Sequence, residues 1–171
     1  MKYIITLSLL LISVFSHAST KLDPKLAIFE PYLGTWEASF SMAEGQPPMT
    51  DVGTWERALN GKAIRTKHSI NDGVYGGESF IFWDKEKEQM VFYYFTTADF
   101  FTEGTLEITE DGSFIAYEDV TGSSEGITQV KSTSFFKDGQ FTVTTQYLKK
   151  GEWTEPQQRI YSRSNKEVIF K

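Results

Sequence analysis

The chain has 171 residues, 40% hydrophobic and 23% charged, which is the composition of one globular domain rather than a disordered, collagenous or coiled-coil chain. It contains no cysteine, which excludes a disulfide scaffold, an iron–sulfur or thiolate zinc site and a cysteine nucleophile. A formal charge of -6 gives no basic face for nucleic acid, so no nucleic-acid partner is expected.

Residues 1–18 have the layout of a secretory signal peptide. Lys2 supplies the positive start, residues 4–15 an apolar run broken only by Thr6, Ser8 and Ser13, and Ser16 and Ala18 the small residues of a cleavage site. The run falls short of the roughly 20 apolar residues of a membrane span. Cleavage after Ala18 is therefore expected, leaving an exported protein of residues 19–171, periplasmic or secreted, with no stable membrane anchor. His68 is the only histidine in that mature chain.

A short helix is expected next. Asp23 can cap it, and Pro24 suits its first position. Leu26, Phe29 and Leu33 recur at three- and four-residue spacing, Pro31 weakens the last turn, and Gly34 can end it. About two turns result, placed to act as a lid or plug.

From Gly34 the period changes to two. Turn signals such as Asn60-Gly61, Asn71-Asp72-Gly73, Glu110-Asp111-Gly112 and Lys137-Asp138-Gly139 recur along the chain. They delimit strands expected at 34–42, 50–59, 63–70, 77–83, 89–96, 101–109, 113–120, 126–136, 140–148 and 153–163. Ile64, Thr66, His68 and Ile70 share one face, against Arg65, Lys67 and Ser69. Phe141, Val143, Thr145 and Tyr147 share another. Connections this short imply antiparallel neighbours. An all-β fold of about ten antiparallel strands leaves two exposed edges unless it closes, so an up-and-down barrel with a short N-terminal helix is expected. A two-sheet β-sandwich with Greek-key crossovers is the alternative.

Gly34-Thr35-Trp36 stands where the helix hands over to the first strand, and Gly-Thr-Trp-Glu recurs once at 53–56, as two unrelated strand starts. The first of these is similar to the Gly-x-Trp of lipocalins and their calycin relatives. Trp55-Glu56-Arg57-x-Leu59-x-Gly61, with an acidic strand start near Glu78, resembles small exported bacterial proteins of unknown function with a lipocalin-like barrel. The resemblance implies that the Trp36 indole plugs the closed end of the barrel. It also implies that a basic side chain of the last strand covers the indole, for which Arg159 and Arg163 both qualify.

A barrel of ten strands is too wide for side chains alone to fill. Trp55, Phe80, Phe82, Tyr93, Phe95 and Tyr147 are the aromatic candidates for its interior, and His68 is the polar one. Glu78 and Glu118 are the carboxylates expected to point inward. The expected function is binding of a small apolar or amphipathic molecule inside the barrel. The alternatives are a barrel enzyme of isomerase, cyclase or lyase type using His68 and Glu78, or a protein-binding module acting through loops at 43–50 and 71–77. No metal-ligand spacing, phosphate loop or nucleophile motif occurs, and no cofactor is expected. Haem binding, which the nitrobindin barrels achieve through a late histidine, would have to use the mid-chain His68.

Overall fold

The computed structural model describes residues 21–41 and 45–171. The expected signal peptide lies outside these residues. The strands are β1 (Gly34–Phe40), β2 (Met49–Ala58), β3 (Ala63–Ile70), β4 (Tyr75–Asp84), β5 (Gln89–Thr96) and β6 (Phe101–Ile108). They continue as β7 (Phe114–Thr121), β8 (Ile127–Lys137), β9 (Gln140–Lys149), β10 (Glu152–Trp153) and β11 (Gln157–Arg163).

β1 to β9 run as a meander, each pairing antiparallel with the next, and β11 fits between β9 and β1. The ring closes with ten long strands, and β10 is a two-residue stub on β9. Closure satisfies the outer edges that an open meander would expose. The expected last strand is split because Pro156 has no N–H to give to the ladder. Thr154 bridges the gap: its backbone N–H donates to the Tyr147 carbonyl at 2.9 Å, and its hydroxyl accepts from the Tyr147 N–H at 3.1 Å.

The N-terminal helix is a 3₁₀ helix over Pro24–Tyr32. Asp23 caps it by accepting from the Lys25 N–H at 3.0 Å. With three residues per turn, Leu26, Phe29 and Tyr32 fall on one face and are buried, whereas Leu33 is not. The expected stripe ending at Leu33 is therefore corrected by one residue. The internal Pro31 accounts for this, since it removes an N–H that an α-helix would use.

This helix packs across the end of the barrel where β1, β3, β5, β7 and β9 begin. The buried core lies there. Phe29 and Tyr32 each meet Phe114 at 5.3 Å between ring centroids, and Trp36 meets Phe141 at 4.9 Å. Ile64, Ile81, Met90, Phe92 and Leu106 complete the layer. Burying each large apolar side chain stabilises the fold by about 1.5–3 kcal/mol. Edge-on aromatic pairs add about 0.5–1.5 kcal/mol each.

Trp36 is fully buried at 0% exposure, and its indole Nε1–H donates to the Tyr32 carbonyl at 2.6 Å. The Arg163 guanidinium lies over the ring at 3.7 Å from the centroid and donates to the carbonyls of Leu33 and Pro31. Gly34 has φ of +116°, and a Cβ there would meet Arg163 Nη1 at 2.3 Å. The glycine of Gly-x-Trp thus both adopts a backbone that other residues avoid and leaves room for the arginine.

Candidate functional site

Above this layer the barrel is hollow. A cavity of about 940 Å³ runs from a floor of Trp36, Trp55, Phe92, Phe114 and Phe141 to the loops at the opposite end. Side-chain size decides where filling stops. At the waist four strands turn small residues inward: Gly53 of β2, Thr66 of β3, Gly77 and Ser79 of β4, and Thr102 and Gly104 of β6.

Two of these glycines shape the wall directly. A Cβ on Gly77 would meet the Tyr94 ring at 2.3 Å, and a Cβ on Gly104 would meet the Phe92 ring at 2.8 Å. Gly77 sits between β3 and β5, directly opposite His68. Its missing side chain lets the Tyr94 ring lie across β4 and reach the histidine.

The result is a chain of polar groups along one wall. Asp51 Oδ1 lies 3.0 Å from His68 Nδ1, His68 Nε2 lies 2.6 Å from the Tyr94 hydroxyl, and that hydroxyl lies 3.0 Å from the Tyr75 hydroxyl. Asp51 is only 2% exposed. Its other oxygen accepts from the Tyr161 hydroxyl at 2.8 Å and faces Arg159 Nη1 at 3.6 Å. Burial pushes the Asp51 carboxyl up. The His68 hydrogen bond and charge, the Tyr161 hydroxyl and the Arg159 charge outweigh that and hold it below the usual value. An ionised Asp51 only accepts, so His68 Nδ1 carries a proton and donates it. In the neutral imidazole Nε2 then accepts from the Tyr94 O–H, and Tyr94 accepts from Tyr75. Burial pushes the phenols of Tyr94, Tyr161, Tyr75 and Tyr147 up, keeping them neutral donors.

Glu118 stands on the facing wall. Its Oε2 accepts from the Thr102 hydroxyl at 3.0 Å. Enclosure within the barrel pushes its carboxyl up to about 7, with small opposing effects from Thr102 and His68. Glu118 is half-buried and lines the cavity.

Trp55, His68 and Tyr147 line the cavity, Trp55 on the floor and the other two on the walls. Phe80, Phe82, Tyr93, Phe95 and Glu78 do not: the expectation that they point inward is corrected. In β3, Ile64, Thr66 and His68 face the barrel interior, so Arg65 and Ala63 face out with their cross-strand partners Phe80 and Phe82. The same register turns Tyr93 and Phe95 outward on β5. On the outer wall Phe82 stacks on Tyr93 at 6.4 Å and Phe95 on Phe101 at 6.3 Å. Glu78 pairs there with Arg65 through two hydrogen bonds of 2.7 and 2.8 Å. Of the two arginines, Arg163 covers Trp36. Arg159 faces the cavity instead, with its guanidinium over Phe40 at 3.8 Å.

Asp51, Tyr75, Tyr94 and Tyr161 were not singled out from the sequence. The available signal was glycine inside strands: Gly53, Gly77 and Gly104 weaken a ladder unless a neighbouring group needs the space.

No family model matches the chain, and no curated protein matches it. Among solved structures, 13 chains match. One is the crystal structure of Rv2717c from M. tuberculosis, 11% identical with a TM-score of 0.59, covering 85% of this chain and 100% of that one. At that identity the likeness concerns the fold alone. The chain is a closed antiparallel barrel whose interior is compatible with ligand binding.

Proposed function

We propose that the protein is an exported barrel that binds one small apolar or amphipathic molecule in its interior. The cavity carries this reading: about 940 Å³, aromatic on its floor and bearing a few converging polar groups on its walls. The layout of residues 1–18 supports export, with Ser19 as the first residue of the mature protein. Trp36 under Arg163, at the closed end of an up-and-down barrel, supports a calycin affinity.

Native mass spectrometry of protein purified from cells tests the binding. An adduct of a few hundred daltons is expected on the wild type, and Val143→Trp, which projects an indole from β9 into the cavity, is expected to abolish it. A wild type that remains free of adduct after exposure to a total lipid and metabolite extract would sink the reading.

The Asp51–His68–Tyr94–Tyr75 chain favours a second reading, acid–base chemistry on a molecule held in the same cavity. Here Asp51 orients the imidazole, and the tyrosines carry the proton path to the cavity. His68→Ala then removes turnover of the bound compound while binding persists. Unchanged turnover in that variant would rule the chain out as the catalyst.

A further inference from the structure

The charges that line the cavity are already partnered, with one exception. Asp51 has His68 and Arg159, Lys149 has Glu125, and Lys67 has Glu56. Among the described residues, Glu118 alone lines the cavity with no cationic partner. Its single side-chain hydrogen bond leaves the other carboxyl oxygen without a protein donor. A carboxyl group in an enclosed, largely apolar space is costly to ionise unless something supplies a counter-charge.

We propose that Glu118 is the recognition group for a cationic head, and that the cavity takes apolar molecules bearing a protonated amine. This rests on the reading of the cavity as a binding site. An ammonium group donates to both carboxyl oxygens and gains the strength of a charge-assisted pair. The aromatic wall favours the same charge. Phe92 lies beside Glu118 across Gly104, and Tyr147 stands across Val130, so aromatic rings flank the carboxyl. An anionic head would meet Glu118 unfavourably. It would also find Arg159 already held between Asp51 and the Phe40 ring.

The pairing has a direction in pH. Glu118 faces Thr102 from β6, His68 from β3, Tyr75 from β4, Tyr94 from β5 and Tyr147 from β9. Arg159 of β11, Asp51 of β2 and the Lys149–Glu125 pair at the rim are the remaining charges of the cavity. With the carboxyl held up at about 7, Glu118 is neutral below that value and ionised above it. Amine affinity therefore rises with pH through neutrality, while an alkylamine stays protonated throughout.

Titration calorimetry with decylamine, decanol and decanoate at pH 8 and pH 5.5 decides the matter, with circular dichroism to verify the fold of each variant. Decylamine is expected to bind at least about 10-fold tighter than decanol at pH 8, with decanoate weakest and the preference shrinking at pH 5.5. Glu118→Gln is expected to weaken decylamine about 10- to 100-fold and leave decanol unchanged. If decanol or decanoate matches decylamine, or Glu118→Gln leaves the amine untouched, the role of Glu118 is overturned while the cavity reading stands. If none of the three binds, the cavity reading falls, and this proposal with it.

Discussion

The two halves of this barrel are built from the same strands in the same register, yet one is solid and the other hollow. Each strand contributes an inward residue to both. At the closed end these include Trp36, Trp55, Ile64, Ile81, Phe92, Leu106, Phe114 and Phe141, and the 3₁₀ helix adds Leu26, Phe29 and Tyr32 from outside. At the waist they are glycine, serine, threonine and a few tyrosines with their polar partners. The aromatic richness of the chain therefore serves two ends, separated by level: stability below, and a lined space above.

The contrast is broken most severely at its base. Trp36→Ala removes a fully buried indole, its hydrogen bond to Tyr32 and the surface under Arg163. A loss of about 4 kcal/mol in urea unfolding is expected. A loss below about 1 kcal/mol would mean that the floor does not depend on this ring.

The hollow half should answer in the opposite sense. Unfolded Glu118 ionises near its ordinary 4.5, whereas the folded carboxyl ionises near about 7. Between those values the unfolded chain releases a proton that the folded chain keeps, so rising pH lowers stability across that window and then levels off. Glu118→Gln is expected to stabilise the protein at pH 8 by about 2 kcal/mol and to leave it unchanged at pH 4. This is less than the whole shift would give, because Glu118 is partly exposed and its charge is partly screened. Asp51 runs the other way: its contribution is present above its ordinary 3.8 and is lost as pH falls through the lower folded value. Urea midpoints of both proteins at pH 4, 6 and 8 test this, and parallel pH profiles would contradict it.

Much of the fold is legible in the sequence because the signals are local. Turn residues and period-two alternation delimit the strands, and short connections dictate antiparallel pairing. The face of each strand is a different matter. On β3 and β9 one face is apolar and the other polar or charged, so Ile64, His68 and Phe141 can be oriented by eye. On β4 and β5 both faces are aromatic, and alternation carries no information. Phe80, Phe82, Tyr93 and Phe95 are therefore inward candidates from sequence, whereas the register with β3 turns them out. The Asp51–His68–Tyr94 chain was hidden for a related reason. Its members come from β2, β3 and β5, and only pairing brings them together.

The smallest expected effect is also the sharpest check on that register. Phe95 is 55% exposed on the outer wall and, among the described residues, stacks only on Phe101. Phe95→Ser should cost less than about 1 kcal/mol, the worth of one exposed cross-strand pair, and should leave any cavity adduct in place. Its neighbour Tyr94 points inward to His68 and Tyr75. Tyr94→Ser should therefore cost several times more and alter the adduct. A shift of one residue along β5 exchanges the two faces. Equal costs for the two substitutions, or loss of the adduct in Phe95→Ser alone, would show that the solid and hollow halves are lined by the other set of side chains.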